Sequence, residues 1–338
     1  MKVTIGDVAK RAGVSKATVS RVLNRNYHYI ADETREKVLR AIEELDYRPN
    51  ALAKGLKQMK THMLGVVLSN LQNPFWSKVM EGIEDICQSY GYSLLIANSR
   101  DNAEKETENL RSFMERQVDG MIVNPTREEN PFFRVLMERK VPVIFINRTV
   151  KNVSANMVLV NNIKGAFLGV EHLLGLGKRK IALFLHPPYG VSPRMEHMEG
   201  FMRAISQHRQ RVERSWIRIV RDKEDCKREI RDLFQNGRPD AIFSTNSLLT
   251  LQILEALKES GYRVPRDIAV LGYDETEWAK HLDPPLSTVQ RPAYDMGRVA
   301  AERLIRMIRK EHAAEPSAIM LEPTLIVRQS CGEAASFA

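Results

Sequence analysis

Between Thr4 and Leu45 apolar residues recur at helical spacing in three short blocks. Ile5, Val8, Ala9 and Ala12 fall at i, i+3, i+4 and i+7, which predicts an amphipathic helix over 4–12. Gly13 ends it, and Ser15 is a good N-cap for a second helix over 16–24. That helix turns Val19, Val22 and Leu23 inward and leaves Lys16, Ala17, Thr18, Ser20 and Arg21 free to face out. A third helix over 32–45 lays Val38, Ile42 and Leu45 on one face to cover the pair; Asp32 marks its start, because Ala31 cannot cap. Two short helices joined by a Gly-containing turn predict a helix-turn-helix. Pro49 then disfavours helix at Arg48, and the stretch 50–56, with Gly55 inside it, is too short to hold a helix alone in water. Residues 47–61 therefore read as a hinge.

From Leu64 the pattern changes to short apolar runs, 64–68, 94–97, 121–123, 143–146, 158–160, 181–185, 241–243 and 268–271. Helical patterns lie between them near 75–90, 104–116, 131–139, 163–176, 195–208, 223–236, 248–260 and 293–310. Strands alternating with helices imply an α/β fold with parallel sheets covered on both faces. The stretch is too long for one compact unit, so two doubly wound lobes are expected. Ligands of such folds bind beyond the carboxyl ends of the strands, here in the cleft between lobes.

Composition narrows the class. The 338 residues are 43% hydrophobic and 28% charged, which excludes a disordered or fibrous chain. Cys87, Cys226 and Cys331 are widely spaced and form no CxxC pair, which argues against a disulfide framework or a zinc site and fits a reducing cytoplasmic compartment. No apolar run approaches the roughly 18 residues of a membrane helix, and the first residues lack the apolar core of a secretory signal. Residues 1–60 hold 13 Lys and Arg against 7 Asp and Glu, so +6 of the formal charge of +9 sits on a short N-terminal piece. A polyanion-binding head on a near-neutral body follows, with nucleic acid the default partner and a merely solvated basic face the alternative.

Motifs for catalysis are missing. The sequence has no GxSxG, HExxH or GxGxxG, and His172-Leu-Leu-Gly-Leu-Gly177-Lys178-Arg179 lacks the first Gly and the Ser or Thr of a phosphate loop. The eight His are scattered without metal spacing, so neither a cofactor nor a metal is expected.

The head carries the most specific signal. Thr4-Ile-Gly-Asp-Val-Ala-Lys-Arg-Ala-Gly-Val-Ser-Lys-Ala-Thr-Val-Ser-Arg-Val-Leu-Asn24, then Thr34-Arg-Glu-Lys-Val38 and Tyr47-Arg-Pro-Asn50-Ala-Leu-Ala53, closely resembles the LacI/GalR family of bacterial transcription regulators. The resemblance continues through a two-lobed remainder similar to periplasmic sugar-binding proteins, within the family a keto-deoxygluconate-type, sugar-acid repressor. It implies a headpiece over 1–46, a hinge over 47–61 and an effector-binding and dimerisation core over 62–338. One lobe is expected at about 62–158 and 289–318, the other at about 159–288 and 319–338.

Physical chemistry agrees with what the resemblance implies for DNA. The N-terminal end of the second helix enters the major groove, where Lys16 donates to guanine O6 or N7, Ala17 meets a thymine methyl and Arg21 makes a bidentate guanine contact. Thr4, Ser15, Thr18, Ser20, Asn24, His28 and Thr34 sit where the family contacts or lies near phosphates, although each hydroxyl also suits simple capping. In the hinge Leu56 occupies the family's minor-groove wedge, with Asn50 and Ala53 on the same face; taken alone, Leu56 fits ordinary packing as well. Two heads on a palindromic operator imply a homodimer, and the tail from Arg328 shows no leucine heptads that would join dimers.

By the same resemblance the effector cleft is lined by Asn73, Phe75, Trp76, Asn124, Asn147, Arg148, Arg194, His197, Asn246, Asp274 and Gln290. Here the sequence departs from the family. Asn147, Asn161 and Ser247 stand where carboxylates are common, and His197 stands for a common arginine, while Arg148 and Arg194 remain. Arginine pairs with a carboxylate or phosphate, so the departures imply an anionic effector, a sugar acid such as gluconate, a hexuronate or keto-deoxygluconate, or a sugar phosphate. The other reading is that these positions lie outside the ligand's contacts. Phe75 and Trp76 are placed to stack on the sugar's apolar face; the alternative is that one of them is core.

The expectation is a non-enzymatic, cytoplasmic repressor of a carbohydrate catabolic operon, associated with the nucleoid. A neutral-sugar effector, a protein-coregulated global regulator, and a solute-binding protein or α/β sugar enzyme with an incidental basic N-terminus stand as alternatives.

Overall fold

A computed structural model describes residues 3–24, 26–47, 60–209, 216–311 and 315–332. The chain divides into two units, Met1–Thr61 and His62–Ala338.

In the first unit α1 (Ile5–Ala12), α2 (Lys16–Leu23) and α3 (Asp32–Glu44) form within a residue of the predicted spans. Val8 and Ala9, Val19 and Val22, and Val38 and Ala41 are buried together, so each helix gives two small residues to one core. Ile42 and Leu45 pack at its edge. Gly13 closes α1 in the left-handed region at φ 67°, where a side chain would be strained. No side chain caps α3, and Asp32 and Glu33 in its first turn offset the helix dipole instead. Residues 48–59, with the hinge positions Asn50, Ala53 and Leu56, lie outside the described residues.

Among its described residues the second unit contains two six-stranded sheets. One is built from β1 (Met63–Leu68), β2 (Ser93–Asn98), β3 (Gly120–Val123), β4 (Val143–Ile146), β5 (Asn156–Val160) and β11 (Ala318–Leu321), in the order β11-β5-β4-β3-β1-β2. All its pairings are parallel. The other is built from β6 (Ile181–Leu185), β7 (Ile217–Ile219), β8 (Ala241–Ser244), β9 (Ala269–Tyr273), β10 (Ser287–Gln290) and β12 (Thr324–Ile326), in the order β12-β10-β9-β8-β6-β7. Only its edge strand β12 runs antiparallel.

Alternate residues of each strand feed opposite cores, which is why the strands read as unbroken apolar runs. In the first lobe Val66, Leu68, Ile144 and Ile146 pack under α4 (Phe75–Tyr90) and α11 (Ala293–Arg309). Val67, Met121, Val123 and Phe145 pack on the other face, under α5 (Ala103–Glu115) and α6 (Pro131–Glu138). In the second lobe Leu183, Leu185, Phe243 and Leu271 meet α7 (Asn162–Gly175) and α8 (Ser192–Gln207). Phe184, Ile242 and Val270 meet α9 (Lys223–Asn236) and α10 (Ser247–Glu259). Helices α4 and α11 approach closely because Gly82 and Gly297 face the partner backbone: a Cβ on Gly297 would lie 1.9 Å from the Val79 carbonyl oxygen.

Four strands have no counterpart among the predicted runs. β7 is an edge strand of three residues, β11 and β12 are short edges, and β10 is Ser-Thr-Val-Gln with one large apolar residue. The buried polar groups of β10 are satisfied instead: the Ser287 N–H donates to Ser330 Oγ at 2.8 Å, and the Thr288 hydroxyl donates to Glu275. The lobe crossings also differ from the expected ones. Residues 159 and 160 and 319–321 belong to the first sheet, through β5 and β11, and residues 289 and 290 belong to β10 of the second.

Candidate functional site

The headpiece presents α2 as its basic face. Lys16, Ala17 and Arg21 are exposed, and neither Lys16 nor Arg21 makes an ion pair among the described residues. The carboxylates nearby are engaged elsewhere: Arg11 pairs with Glu44 at 2.6 Å and Lys37 with Glu33 at 2.8 Å. Several predicted phosphate contacts also do local work. Ser15 Oγ accepts from the Thr18 N–H at 3.1 Å, the Thr4 hydroxyl donates to Asp7 at 2.7 Å, and the Asn24 amide donates to the Ser20 carbonyl at 2.9 Å. These bonds cap the start of α1 and both ends of α2, while the turn between the helices is closed by the backbone bond from the Val14 N–H to the Ala9 carbonyl at 3.0 Å. His28 is exposed and stacked on Tyr29, and Thr34 is half-buried in the first turn of α3.

The carboxyl ends of the two sheets enclose a cavity of about 390 Å³. Seven predicted effector residues line it: Asn73, Trp76, Asn147, Arg148, Arg194, His197 and Asn246. Four do not. Phe75 lies under the Arg291 guanidinium, 3.6 Å from ring centre to Cζ, and its ring meets Trp76 edge-on, so Trp76 is the wall and Phe75 its support. Asn124 is fully buried behind Asn147 and accepts from its amide at 3.3 Å. Asp274 and Gln290 line a separate pocket with Trp278 and Tyr294. Of the three positions where carboxylates were expected, only Asn147 reaches the cavity. Asn161 caps α7, and Ser247 is buried, donating to Asn73 Oδ1 at 3.3 Å.

That Ser247–Asn73 bond joins the lobes, as do the Thr149 N–H to Ser192 Oγ at 2.9 Å and the Glu128 N–H to the Gly190 carbonyl at 3.2 Å. The lobes are thus closed on each other around the cavity.

Sequence reasoning missed Arg291. It follows β10 directly and donates to Asp274 Oδ1 at 2.6 Å and to Asn147 Oδ1 at 2.8 Å, so one residue ties the crossover to both lobes. Its signal was its place just after a strand end, hidden because β10 is too polar to read as a strand. Asp101, His186 and Arg221 also line the cavity. Glu106 lies beneath: fully buried on α5, it accepts from the Thr126 N–H and from the Asn130 amide, and burial pushes its carboxyl up from the usual range. The loop it holds offers the Pro125 and Thr126 carbonyls to Arg148, each at 2.8 Å.

Cationic groups exceed anionic ones on the cavity wall. Arg148, Arg194, Arg221 and Arg291 line it, with Asp101 the one carboxylate on the wall; Asp101 pairs with Arg148 at 3.0 Å, Asp225 with Arg221 at 3.6 Å and Asp274 with Arg291 at 2.6 Å. Arg148 Nε is buried with no partner among the described residues. Arg194 donates to the Pro187 carbonyl at 2.9 Å and has no carboxylate within ion-pair distance among the described residues. Burial, with Arg148 and Arg127 nearby, pushes its guanidinium down to about 10. His197 is buried against Tyr273, ring centres 4.3 Å apart, and neither ring nitrogen has a hydrogen-bond partner among the described residues. Burial first, then Arg291 and Arg194, hold it well below the ordinary imidazole range. The described residues contain no cluster able to hold a metal ion and no helix long and apolar enough to cross a membrane.

A helix-turn-helix head before a two-lobed core closed over a polar cavity defines a DNA-binding regulator controlled by a small molecule. Residues 4–50 match the family model of bacterial regulatory proteins of the lacI family, and residues 170–331 match a periplasmic binding protein-like domain. The chain belongs to the LacI family and is a transcriptional repressor. It is 36% identical to the HTH-type transcriptional regulator KdgR of Bacillus subtilis, over 97% of each chain, and 32% identical to the ribose operon repressor of Haemophilus influenzae, over 97% of this chain and 98% of that one. Its structure is similar to that of the lac repressor dimer bound to operator and the anti-inducer ONPF, with TM-score 0.86 and 28% identity over 98% of this chain and 100% of that one.

Proposed function

We propose that the protein binds a palindromic operator as a homodimer, represses a carbohydrate catabolic operon and is switched by an anionic effector held between the lobes. Lys16, Ala17 and Arg21 read base edges from the exposed face of α2, and Thr4, Ser15, Thr18, Ser20, Asn24, His28 and Thr34 set the register on the phosphates. Asn50, Ala53 and Leu56 act in the minor groove. The lac repressor, a dimer on its operator, supports the assembly.

The observation that carries the effector reading is Arg194, a half-buried guanidinium on the cavity wall with no carboxylate partner among the described residues and Arg148 beside it. Clustered guanidinium groups out of bulk water repel one another, and a carboxylate relieves that repulsion with charge-assisted hydrogen bonds. A sugar acid fits this wall best: its carboxylate meets Arg194 and Arg148, and its carbon chain lies against Trp76. A neutral sugar has one observation in its favour, since the similar regulator CelR, 30% identical, forms a complex with cellobiose.

A thermal-shift screen of the full chain against gluconate, galacturonate, keto-deoxygluconate, glucose and glucose 6-phosphate decides between them. A saturating ligand raises the melting temperature by mass action. Shifts with the acids and none with glucose are expected; a shift with glucose alone overturns the anionic reading.

A further inference from the structure

Arg148 has much of its support outside the cavity. Its Nη1 donates to the Pro125 and Thr126 carbonyls at 2.8 Å each and to Asp101 at 3.0 Å. The Asp101 side chain is 40% exposed, so water screens the charge it offers to a guanidinium that is itself 7% exposed. The peptide between Pro125 and Thr126, in the loop after β3, makes a second connection. Its carbonyl accepts from Arg148, and its N–H donates to Glu106. The two ends of a trans peptide point in opposite directions, so Glu106 and Arg148 lie on opposite sides of one peptide group. Carboxylate, peptide and guanidinium stand in series. Away from water each bond of such a chain polarises and strengthens the next.

Glu106 needs this connection. It is fully buried on α5, with no Lys, Arg or His within ion-pair distance among the described residues. Its second oxygen accepts from the Asn130 amide at 2.7 Å, so both oxygens face donors. Two donors suit the ionised carboxylate, which only accepts. The Asn130 amide is fixed in that orientation, because its own Oδ1 accepts from the Phe132 N–H at 2.9 Å and caps α6. Burial pushes the Glu106 carboxyl up, while these donors and the charge of Arg148 pull it down. A buried charge is costly without a counter-charge, and here the counter-charge is Arg148, one peptide away.

We propose that Glu106 is a positioning residue for effector binding: through the 125–126 peptide it supplies the buried counter-charge that fixes the Arg148 guanidinium at the cavity wall. The ligand that Arg148 meets rests on the anionic reading; the coupling of Glu106 to Arg148 does not.

Titration calorimetry of the full-length protein with D-gluconate, and urea unfolding without ligand, test this on E106Q, N130S, R148M and the double variants with R148M. E106Q loses the charge and the bond to Asn130 but keeps an acceptor for the Thr126 N–H. N130S loses the same bond, keeps the charge and keeps an oxygen to cap α6. E106Q is expected to weaken gluconate about tenfold, and N130S to bind it as the parent does. A direct effect of charge on the ligand would have the opposite sign, since removing a buried negative charge near an anion tightens its binding. In urea the midpoint losses of E106Q and R148M are expected to sum to more than the loss of E106Q/R148M, whereas those of N130S and R148M add.

Gluconate bound by E106Q as tightly as by the parent, or more tightly, overturns the positioning role. Additive midpoint losses for E106Q and R148M overturn it too. So does coupling of N130S to R148M as strong as that of E106Q, which assigns the effect to the hydrogen bonds of the loop and not to the charge. If the parent binds no gluconate, the anionic reading falls and the urea cycles decide alone: coupling with E106Q and additivity with N130S keep Glu106 as the counter-charge of Arg148, and any other pattern removes it.

Discussion

Arg291 Nε donates to Asp274 Oδ1 at 2.6 Å, with the two side chains 8% and 1% exposed. The pair sits at the wall between the effector cavity and the pocket beside Trp278, and the second oxygen of Asp274 is buried without a partner among the described residues. Removing one member leaves the other charge buried alone. Asp274→Ala and Arg291→Ala should each lower stability by about 3–5 kcal/mol, and the double variant should lose less than the sum. Urea unfolding of the four proteins checks this; additive losses would show that the two charges are not coupled.

Recognition of DNA separates from attraction to it. Arg21→Ala should abolish discrimination between operator and random DNA while leaving weak, salt-sensitive binding, because the other basic groups still meet phosphates. Competition binding at two salt concentrations reads both quantities, and unchanged discrimination removes Arg21 from base readout.

Ser15 has two roles that substitution can divide. Ser15→Ala deletes the cap on Thr18 and should destabilise α2 by about 1 kcal/mol. Ser15→Asp keeps a capping oxygen but sets a negative charge where a phosphate is expected, so it should retain helix stability and lose DNA affinity. Amide exchange in α2 together with operator titration distinguishes the two, and normal affinity in Ser15→Asp would place Ser15 away from the backbone.

Acid should destabilise the core through its buried histidines. His172, His186 and His197 are all held below the ordinary imidazole range, chiefly by burial. Below about pH 6.5 the unfolded chain binds protons that the folded chain refuses, so stability is fully present above that pH and is lost as pH falls. His197→Phe should flatten the slope of unfolding free energy between pH 6.5 and pH 5 by about one proton. An unchanged slope would mean that this imidazole takes up its proton in the folded state.

The contact between α4 and α11 leaves no room for a methyl group. Gly297→Ala places a Cβ 1.9 Å from the Val79 carbonyl and should cost about 1–3 kcal/mol or force the helices apart. A shifted thermal midpoint with unchanged operator binding is the expected result; an unaltered midpoint would show that the helices separate freely.

Much of this architecture was legible from periodicity. The eight helices of the core's described residues fall within about three residues of their predicted starts, because each buries one stripe of apolar side chains against a sheet. Central strands such as β4 and β6 read clearly, since both faces are covered and every residue is apolar. β10 escaped because it is buried through hydrogen bonds of Ser287 and Thr288 rather than through hydrophobic side chains, and with it went Arg291. The same limit applies to the cleft. A sequence lists the polar residues near strand ends but not which way each turns: Asn147 points into the cavity, whereas Asn161 spends its side chain on a helix cap. Glu106 gave no signal at all, since a glutamate in an amphipathic helix usually faces water.

The two sheets share a dependence on the end of the chain. β11 completes the first by pairing with β5, and β12 completes the second by pairing with β10, although β5 and β10 are separated by the whole second lobe. On the ribosome, therefore, the first lobe acquires its last edge strand only when the chain has been made to Leu321 and the second only at Ile326, and a truncation before Ala318 damages both at once. Closure of the effector cleft is thereby made a late event of synthesis, and a prematurely terminated repressor cannot present one finished lobe with the other merely absent.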